Sequence, residues 1–283
     1  MNLAHPSELK ELLNRHNFSF SKSLGQNFLI DEGVLDKIVT AANIDKNTCA
    51  LEIGPGAGTL TRLLAERAKK AVAIEIDSAL IPVLSESMAE FDNFTLIHKD
   101  VMEVDLAQLT SEIFGKDSFS VVANLPYYIT TPIVMGLLES NLPVNTMTLM
   151  VQKEVADRII ASPGTKDYGA LSVAVQYYTK PSTVCKAEPH CFMPQPKVDS
   201  TVIKLDVLPN PSVQVKDEKK FFKIVKSAFG QRRKTLMNAL SKSPHIAIEK
   251  SVVESALTTM GLDLAIRGER LTVEQFAELS NLV

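Results

Sequence analysis

The segment "NLPYYITTP", residues 124–132, brings together groups that can bind a flat, hydrogen-bonding molecule. It follows "FSVVA", whose β-branched, apolar residues predict a buried strand that the proline then ends. The side-chain carbonyl of Asn124 and the backbone carbonyl of Leu125 are two acceptors, enough to hold both N–H groups of an exocyclic amine. Pro126 fixes the backbone, and Tyr127 offers a face on which a flipped-out base can stack. A plain turn with packed tyrosines is the alternative explanation.

A glycine-rich turn lies earlier in the chain, in "LEIGPGAGTLTRLLAERA", between a predicted strand and a predicted helix. Gly54, Gly56 and Gly58 allow a ligand to approach the backbone and leave N–H groups free at the helix start. A dinucleotide fingerprint would have its third glycine at position 59, where this chain has Thr59. The spacing therefore disfavours a pyrophosphate and favours S-adenosylmethionine, which carries no phosphate.

Acidic residues end the next two predicted strands. Glu75 ends "AVAIE", where a carboxylate accepts hydrogen bonds from the ribose hydroxyls of an adenosine cofactor. Asp100 ends "LIHKD", where it can accept from the adenine amino group. Acids at such positions are also common helix caps. If the bound cofactor donates a methyl group, Asn124 at the fourth strand end lies beside it, and the reaction needs alignment more than acid or base catalysis.

The elements that position these groups alternate along the first half of the chain. Strand-like and helix-like segments follow one another from "GVLDKIVTAANI" to "TMTLMVQKEVADRII", which predicts an α/β, Rossmann-like fold with a doubly wound sheet. "ALSVAVQYYT" is predicted as a late strand. After the linker "PNPS" the patterns are helical, and Thr272 with Gln275 fits a capping box. We therefore predict two domains, residues 1–209 and 210–283.

Charge is unevenly distributed. The net charge of −3 is not typical of a nucleic-acid-binding protein, but nine Lys and Arg residues lie between positions 216 and 242 against two acids. No apolar run approaches the roughly 18 residues that cross a bilayer, and the N-terminus is charged where a signal peptide is apolar. These features predict a cytoplasmic protein with no membrane association.

The three cysteines form no disulfide framework, which suits a reducing compartment. Cys185, His190 and Cys191 lie close in sequence, yet no fourth ligand with recognised zinc spacing stands near them. We therefore predict no metal site.

Several long motifs resemble the ribosomal RNA adenine dimethyltransferase family, in particular its bacterial small-subunit branch. They are "KSLGQNFLID", "EIGPGAGTLT", "AIEID", "NLPYYITTPI", "LMVQKEVADRI", "YGALSVAVQYY", "FMPQPKVDSTV" and "FGQRRKTLMNAL", and they run nearly end to end. The resemblance implies a class I methyltransferase domain followed by a small helical domain. It implies transfer of two methyl groups to N6 of each of two adjacent adenosines near the 3′ end of 16S ribosomal RNA. The expected partner is the small ribosomal subunit, with a role in its maturation, and we expect a monomer.

The resemblance also assigns roles to individual residues. The family's cofactor positions correspond to Asn27, Leu29, Gly54, Glu75, Asp100 and Asn124, with Gly56 in the same turn. The target motif is Asn124, Leu125, Pro126 and Tyr127, followed by Tyr128 as a further stacking surface that stays open. Phe192 matches an aromatic position near the target base, with a core phenylalanine as the alternative. Contacts to RNA phosphates are expected from Arg232, Arg233 and Lys234, for which a solvated helix face is the alternative.

Two other functions remain open at this stage. The related antibiotic-resistance methyltransferases act on a large-subunit adenine and are expected to lack the full ending from "FGQRRKTLMNAL" to "ERLTVEQFAEL". A binding role in checking small-subunit assembly, with methylation secondary, is compatible with either enzyme.

Overall fold

The computed structural model describes residues 1–21, 24–127 and 129–283. The strands are Phe28–Leu29 (β1), Cys49–Ile53 (β2), Lys70–Glu75 (β3), Phe94–His98 (β4), Phe119–Asn124 (β5), Val144–Gln152 (β6), Thr179–Ala187 (β7), Phe192–Met193 (β8) and Ser200–Val207 (β9). The helices are Pro6–Arg15 (α1), Glu32–Ala41 (α2), Thr59–Arg67 (α3), Ile81–Ser87 (α4), Leu106–Phe114 (α5), Thr130–Glu139 (α6), Lys153–Ile160 (α7), Ala170–Tyr178 (α8), Glu218–Gly230 (α9), Leu236–Ser241 (α10), Lys250–Thr259 (α11) and Val273–Leu282 (α12). Short 3₁₀ turns lie at Ser78–Leu80, Val101–Glu103, Pro189–Cys191 and Gly268–Arg270.

A seven-stranded sheet with the order β4-β3-β2-β5-β6-β9-β7 carries the fold. The pairs β2–β3, β3–β4, β2–β5 and β5–β6 are parallel, whereas β9 runs antiparallel to β6. All five residues of β2 are buried, as expected for a parallel strand covered on both faces. The strand order reverses between β2 and β5, and a ligand crevice is expected outside the carboxyl ends at such a point.

A two-stranded ribbon links the N-terminal segment to the later part of the chain. β1 pairs antiparallel with β8, so that Phe28 lies opposite Met193 and Leu29 opposite Phe192. The Asp31 side chain then accepts a hydrogen bond from the Val34 N–H and begins α2. The ribbon therefore holds the "QNFL" motif at a defined place beside the sheet.

The chain forms two compact units. The first comprises Met1–Ala156 and Ser182–Val207, and the second comprises Asp157–Pro181 and Leu208–Val283. The division into two domains at residue 209 stays a prediction. By contacts, residues 157–181 pack with the C-terminal helices, because Tyr168 and Tyr177 belong to the apolar core of the second unit.

The structure confirms three sequence predictions: the α/β fold, the alternation of strands and helices, and the passage from strand β6 directly into helix α7. The strand predicted for "ALSVAVQYYT" is wrong, because residues Ala170–Tyr178 form helix α8. A short, nearly continuous apolar run does not distinguish a buried helix from a buried strand. The Gly169 N–H donates to the Ser172 side chain at 3.0 Å, which begins the helix. The capping box at Thr272 and Gln275 is confirmed.

Among the described residues, every helix is too short or too polar to cross a bilayer.

Candidate active site

A cavity opens in the first unit at the carboxyl ends of β2 to β5. Gly54 follows β2, Glu75 ends β3, Asp100 follows β4 and Asn124 ends β5, and all four line the cavity. The sequence predicted that these positions share one site, and their common cavity agrees with the strand reversal between β2 and β5. The cavity is also lined by Asn27, Leu29, Gly56, Leu125, Pro126 and Tyr127.

The glycine turn between β2 and α3 depends on left-handed backbone conformations. Gly56 has φ +60°, and a Cβ there would lie 2.9 Å from the Phe28 ring. Gly58 has φ +95°, and a Cβ there would lie 2.8 Å from the Ser87 hydroxyl oxygen. Side chains at these positions would both strain the backbone and displace their neighbours. The turn therefore brings bare backbone to the cavity wall and presents the start of α3 to a ligand.

Glu75 is held at the cavity wall by backbone donors. Its Oε1 accepts from the Asp77 N–H at 2.8 Å, and its Oε2 accepts from the Gly56 N–H at 3.3 Å. Burial raises the pKa of this carboxyl, and the hydrogen bonds from Asp77 and Gly56 oppose that rise. Each carboxylate oxygen can accept a second hydrogen bond. The residue is thus fixed in place and retains capacity for ligand hydroxyls.

Asp100 is a cap residue, one of the two explanations that the sequence allows, and its contact with an adenine amino group stays a prediction. Its Oδ1 accepts from the Met102 N–H at 2.9 Å and caps the 3₁₀ turn Val101–Glu103. The residue also lines the cavity. The hydrogen bond from the Met102 N–H to Oδ1 fixes the Asp100 side chain. The same bond therefore also determines where the other carboxylate oxygen, Oδ2, lies.

Asn124 is tied to the N-terminal segment. Its Nδ2 donates to the backbone carbonyl of Asn27 at 2.9 Å. Because the amide nitrogen is engaged there, the amide oxygen points away from Asn27 and remains an acceptor. The Asn27 side chain donates to the Gly25 carbonyl at 2.9 Å, and Gln26 donates to Asp77 Oδ2 at 2.6 Å. The loop before β1 therefore contacts both the β3 and the β5 ends.

The rest of the target motif forms a turn into α6. The Leu125 N–H donates to the Met150 carbonyl at 3.1 Å, which continues the pairing with β6. The Pro126 carbonyl accepts from the Ile129 N–H at 3.2 Å and from the Thr130 hydroxyl at 3.1 Å. Residues 124–127 thus form a turn and also line the cavity, so the turn does not exclude a role for them in binding the target.

Tyr127 is half-buried, and its hydroxyl lies 2.9 Å from the Ser200 hydroxyl. Burial raises its pKa, and the Ser200 bond opposes that rise. The bond anchors the ring at the cavity wall. The expected second stacking surface, Tyr128, lies outside the described residues.

The residues expected to contact RNA differ in their surroundings. Phe192 is only 2% exposed and belongs to a core cluster of the first unit, so in this conformation it offers no face to a base. Arg232 is exposed, but its Nη2 donates to the carbonyls of Lys166 and Tyr168 at 2.8 and 3.1 Å. The same atom lies 3.5 Å from a Glu269 carboxylate oxygen.

Arg233 and Lys234 are exposed in the turn between α9 and α10. Their assignment to RNA, and those of Phe192 and Arg232, stay predictions. The internal contacts of Arg232 favour Arg233 and Lys234 as the stronger candidates for phosphate contacts.

Three potential metal ligands do come together near the β1–β8 ribbon. Ligand atoms of Asp31, His190 and Cys191 lie within 4.8 Å of one another, and Cys191 Sγ is 3.6 Å from Asp31 Oδ2. Asp31 was not part of the sequence argument, because it is 159 positions before His190. Three ligands, one of them capping α2, fall short of the four of a structural zinc site. The absence of a metal stays a prediction.

Glu52 is a charged cavity residue that the sequence analysis missed. It lies in β2, is 2% exposed, and lines the cavity beside Glu75. Burial raises its pKa to about 8, the Thr61 hydroxyl opposes the rise, and the charge of Glu75 adds to it. The available signal was an acid inside the otherwise apolar "CALEI", two residues before Gly54.

The sheet order, the glycine turn and the side chains at successive strand ends define a Rossmann-like protein with a cavity at the carboxyl ends of its parallel strands. Residues 17–283 match the family model described as ribosomal RNA adenine dimethylase. The chain belongs to this family. The predicted family, the Rossmann-like methyltransferase fold and the predicted class of enzyme, a ribosomal RNA adenine dimethyltransferase, are thereby confirmed.

Relatives of known name agree with this assignment. The chain is 51% identical over 279 residues to "Ribosomal RNA small subunit methyltransferase A" of Alkaliphilus oremlandii, covering 99% of this chain and 97% of the relative. A crystal structure of a dimethyladenosine transferase from Plasmodium falciparum matches with a TM-score of 0.74 and 27% identity, over 89% of this chain and 95% of that one. A crystal structure of the 23S rRNA methyltransferase ErmE matches with a TM-score of 0.70 and 28% identity, over 90% and 99%.

Proposed function

We propose that this chain uses S-adenosylmethionine to dimethylate N6 of two adjacent adenosines near the 3′ end of 16S ribosomal RNA, as part of small-subunit maturation. The observation that carries the proposal is the shared cavity of Gly54, Glu75, Asp100 and Asn124, with Tyr127 at its wall, in a chain of the adenine dimethylase family. About 50% identity over the whole chain to a named small-subunit enzyme supports this substrate class.

The cavity fits the proposed cofactor. Gly54 and Gly56 bring backbone without side chains to the cavity wall, and the turn spacing is unsuited to a pyrophosphate. We assign Glu75 to the ribose hydroxyls, Asp100 to the adenine amino group, and Asn27 and Leu29 to the wall that covers the cofactor. A bound S-adenosylmethionine supplies a methyl group on a sulfonium, which is already an excellent leaving group. What remains for the protein is to hold the acceptor in line with that methyl group.

The acceptor amine is a poor nucleophile, because its lone pair is delocalised into the adenine ring. Hydrogen bonds to the Asn124 amide oxygen and the Leu125 carbonyl favour a pyramidal nitrogen whose lone pair points to the methyl group. The Asn27 carbonyl orients the Asn124 amide for this role. Tyr127, anchored through Ser200, would stack on the flipped-out adenine, a contact worth about 1–3 kcal/mol per base in single-strand binders.

Each adenosine receives two methyl groups, so the site must accept an amine that already carries one. The monomethylated amine retains a single N–H, which one of the two acceptors can hold. Rotation about the C6–N6 bond or rebinding brings the lone pair back into line. Spent cofactor must be exchanged between transfers.

Docking on the ribosomal subunit is assigned to the basic stretch from Lys219 to Lys234, with Arg233 and Lys234 foremost. Phosphate contacts of this kind position an enzyme without reading sequence. Because the net charge is −3, we infer that binding depends on a preformed ribosomal surface more than on free RNA. We further propose that the protein acts as a cytoplasmic monomer without a metal, and that residues 1–209 and 210–283 act as catalytic and RNA-docking domains.

A large-subunit substrate is the second candidate, because the match to ErmE spans 99% of that chain. One experiment separates the two. The protein is incubated with labelled S-adenosylmethionine and unmethylated small subunits, large subunits or naked RNA, and N6-dimethyladenosine is then mapped. We expect label at two adjacent adenosines of the small-subunit RNA. Label confined to the large subunit would refute the proposal, and tight binding to small subunits without label would indicate an assembly role alone.

A further inference from the structure

The loop before β1 is held on both sides of the glycine turn. In the sheet, β3 and β5 flank β2, and the glycine turn follows β2. On the β3 side, Gln26 Nε2 donates to Asp77 Oδ2 at 2.6 Å. On the β5 side, the Asn27 carbonyl accepts from Asn124 Nδ2 at 2.9 Å. Two neighbouring residues of one loop are thus bound at the ends of two strands that are not adjacent in the sheet.

The Gln26 side chain is engaged at both ends of its amide. Its Oε1 accepts from the Ser21 N–H at 2.7 Å, and its Nε2 makes the bond to Asp77. A hydrogen bond to a carboxylate is stronger than one between neutral groups, and this one is short. Gln26 lines the cavity, but its amide binds the protein itself. Its geometry is therefore that of a residue that holds the loop in place.

Asp77 is a firm attachment point for this loop. Its Oδ1 accepts from the Ala79 N–H at 2.9 Å and caps the 3₁₀ turn Ser78–Leu80. Its own N–H donates to Glu75 Oε1 at 2.8 Å. One carboxylate oxygen is thus fixed by the cap, and the other receives Gln26. The bond from Gln26 therefore ties the loop to the end of β3.

The direction of the Asn27 carbonyl depends on what holds the residues on its two sides. This carbonyl belongs to the peptide group between Asn27 and Phe28, and a planar peptide group turns as a whole about the dihedrals that flank it. On one side, Phe28 is fixed by its pairing with Met193 in the β1–β8 ribbon. On the other side, Gln26 is fixed by its bond to Asp77. Loss of the Gln26 side chain would release one of the two sides.

We propose that Gln26 is a positioning residue for methyl transfer. Its bond to Asp77 fixes the Asn27 carbonyl, and that carbonyl fixes the Asn124 amide, which is assigned to the target amine. This inference rests on the proposed function. In this role Gln26 acts through other residues and needs no contact with the methyl group or the acceptor nitrogen. Its loss should therefore lower the rate of the transfer step and leave the affinity for the methyl donor nearly unchanged.

Single-turnover kinetics with Gln26→Ala test this in the full chain. Methyl transfer from S-adenosylmethionine to unmethylated small subunits is measured with both ligands saturating, and donor affinity is measured separately by calorimetry. We expect the saturating rate to fall at least tenfold, since a misplacement of about 1 Å can cost about a hundredfold in rate. Donor affinity should change only a few-fold. A normal saturating rate with weakened donor binding would show that the loop merely covers the cofactor, and would overturn the inference.

A matched control removes a glutamine that makes a comparable bond elsewhere. Gln108 is exposed in α5, and its Nε2 donates to Glu112 Oε1 at 2.8 Å. Gln108→Ala should transfer methyl groups at the wild-type rate. A rate loss in Gln108→Ala equal to that of Gln26→Ala would show a general effect of losing such a bond, and would contradict the positioning role.

Exchanging donor and acceptor gives a readout that a merely structural role would not produce. Gln26→Glu places two carboxylates in contact, so their repulsion should free the loop and lower the saturating rate at least tenfold. Adding Asp77→Asn restores a donor and an acceptor with the direction of the bond reversed. The new carboxylate can still accept from the Ser21 N–H, and the new amide oxygen can still accept from the Ala79 N–H. We expect the double variant to recover most of the lost rate.

The remaining outcomes separate this inference from the proposed function. If Gln26→Ala fails to fold, the exchange variants decide, because their side chains match the originals in size. A double variant no faster than Gln26→Glu would refute the positioning role. Wild-type rates in every Gln26 variant would refute it too, and would leave the proposed function intact. A wild type that transfers no methyl group to small subunits would refute both.

Discussion

Glu52→Gln is expected to stabilise the ligand-free protein at alkaline pH. The folded protein holds this carboxyl with a pKa of about 8, whereas an ordinary glutamate has 4.5. Between these values the folded state binds more protons than the unfolded state, so stability falls as pH rises. Glutamine has nearly the same shape and cannot ionise, so the variant should lose this part of the pH dependence.

The magnitude follows from the same two values. Each pH unit between them costs about 1.4 kcal/mol, and the loss levels off near the folded pKa, which gives about 2 kcal/mol between pH 6 and pH 8. This corresponds to roughly 4–8 °C in melting temperature for a chain of this size.

Urea unfolding at pH 6, 7 and 8 gives the free energy of unfolding of the variant and of the wild type. The difference between the two isolates the contribution of Glu52, because the other titrating groups contribute equally to both proteins. Glu66→Gln is the control, since an exposed acid has no such penalty. Parallel pH profiles for Glu52→Gln and wild type would show that Glu52 is already ionised in the folded protein, and would contradict the reasoning above.

Other predictions concern the proposed roles of individual residues. Asn124→Ala should reduce methyl transfer at least a thousandfold while donor affinity, measured by calorimetry, changes only a few-fold; loss of donor binding as the main defect would refute the acceptor role. Glu75→Ala should do the opposite, weakening donor binding at least tenfold, and unchanged affinity would refute the ribose assignment. The double variant Arg233→Ala, Lys234→Ala should weaken binding to small subunits and lower the salt slope by about one per lost phosphate contact, with donor affinity unchanged. An unchanged salt slope would exclude both residues from phosphate contacts.

Much of the site was predictable because parallel strands bring distant motifs to one edge. Gly54, Glu75, Asp100 and Asn124 each end or follow a strand with a strong buried pattern, so their meeting at one cavity followed from the fold class. The prediction that was wrong, a strand at Ala170–Tyr178, concerns a segment whose structure depends on packing against distant parts of the chain. The apolar run of α8 fits both a helix and a buried strand, and the contacts of the second unit decide it.

Side-chain partners were the least predictable part. Arg232 belongs to a basic run, and only the structure reveals that the carbonyls of Lys166 and Tyr168 occupy its guanidinium. Phe192 carried a family role, yet it lies in the core opposite Leu29. Glu52 looked like one charge in a strand, and its significance depends on burial and on a missing partner. Sequence patterns indicate where a residue lies along an element, whereas these roles depend on what lies across from it.

The bond between Asn124 Nδ2 and the Asn27 carbonyl explains why an amide, and not a carboxylate, suits position 124. An amide has a donor end and an acceptor end, and the carbonyl 97 positions away takes the donor end. An aspartate there would face that carbonyl with a negative charge and would turn away or take up a proton. It would also leave two equivalent oxygens with no means of choosing between them. The carbonyl of Asn27 in the N-terminal loop thus selects one of the two possible orientations of the Asn124 amide, the one that leaves the amide oxygen as the free acceptor.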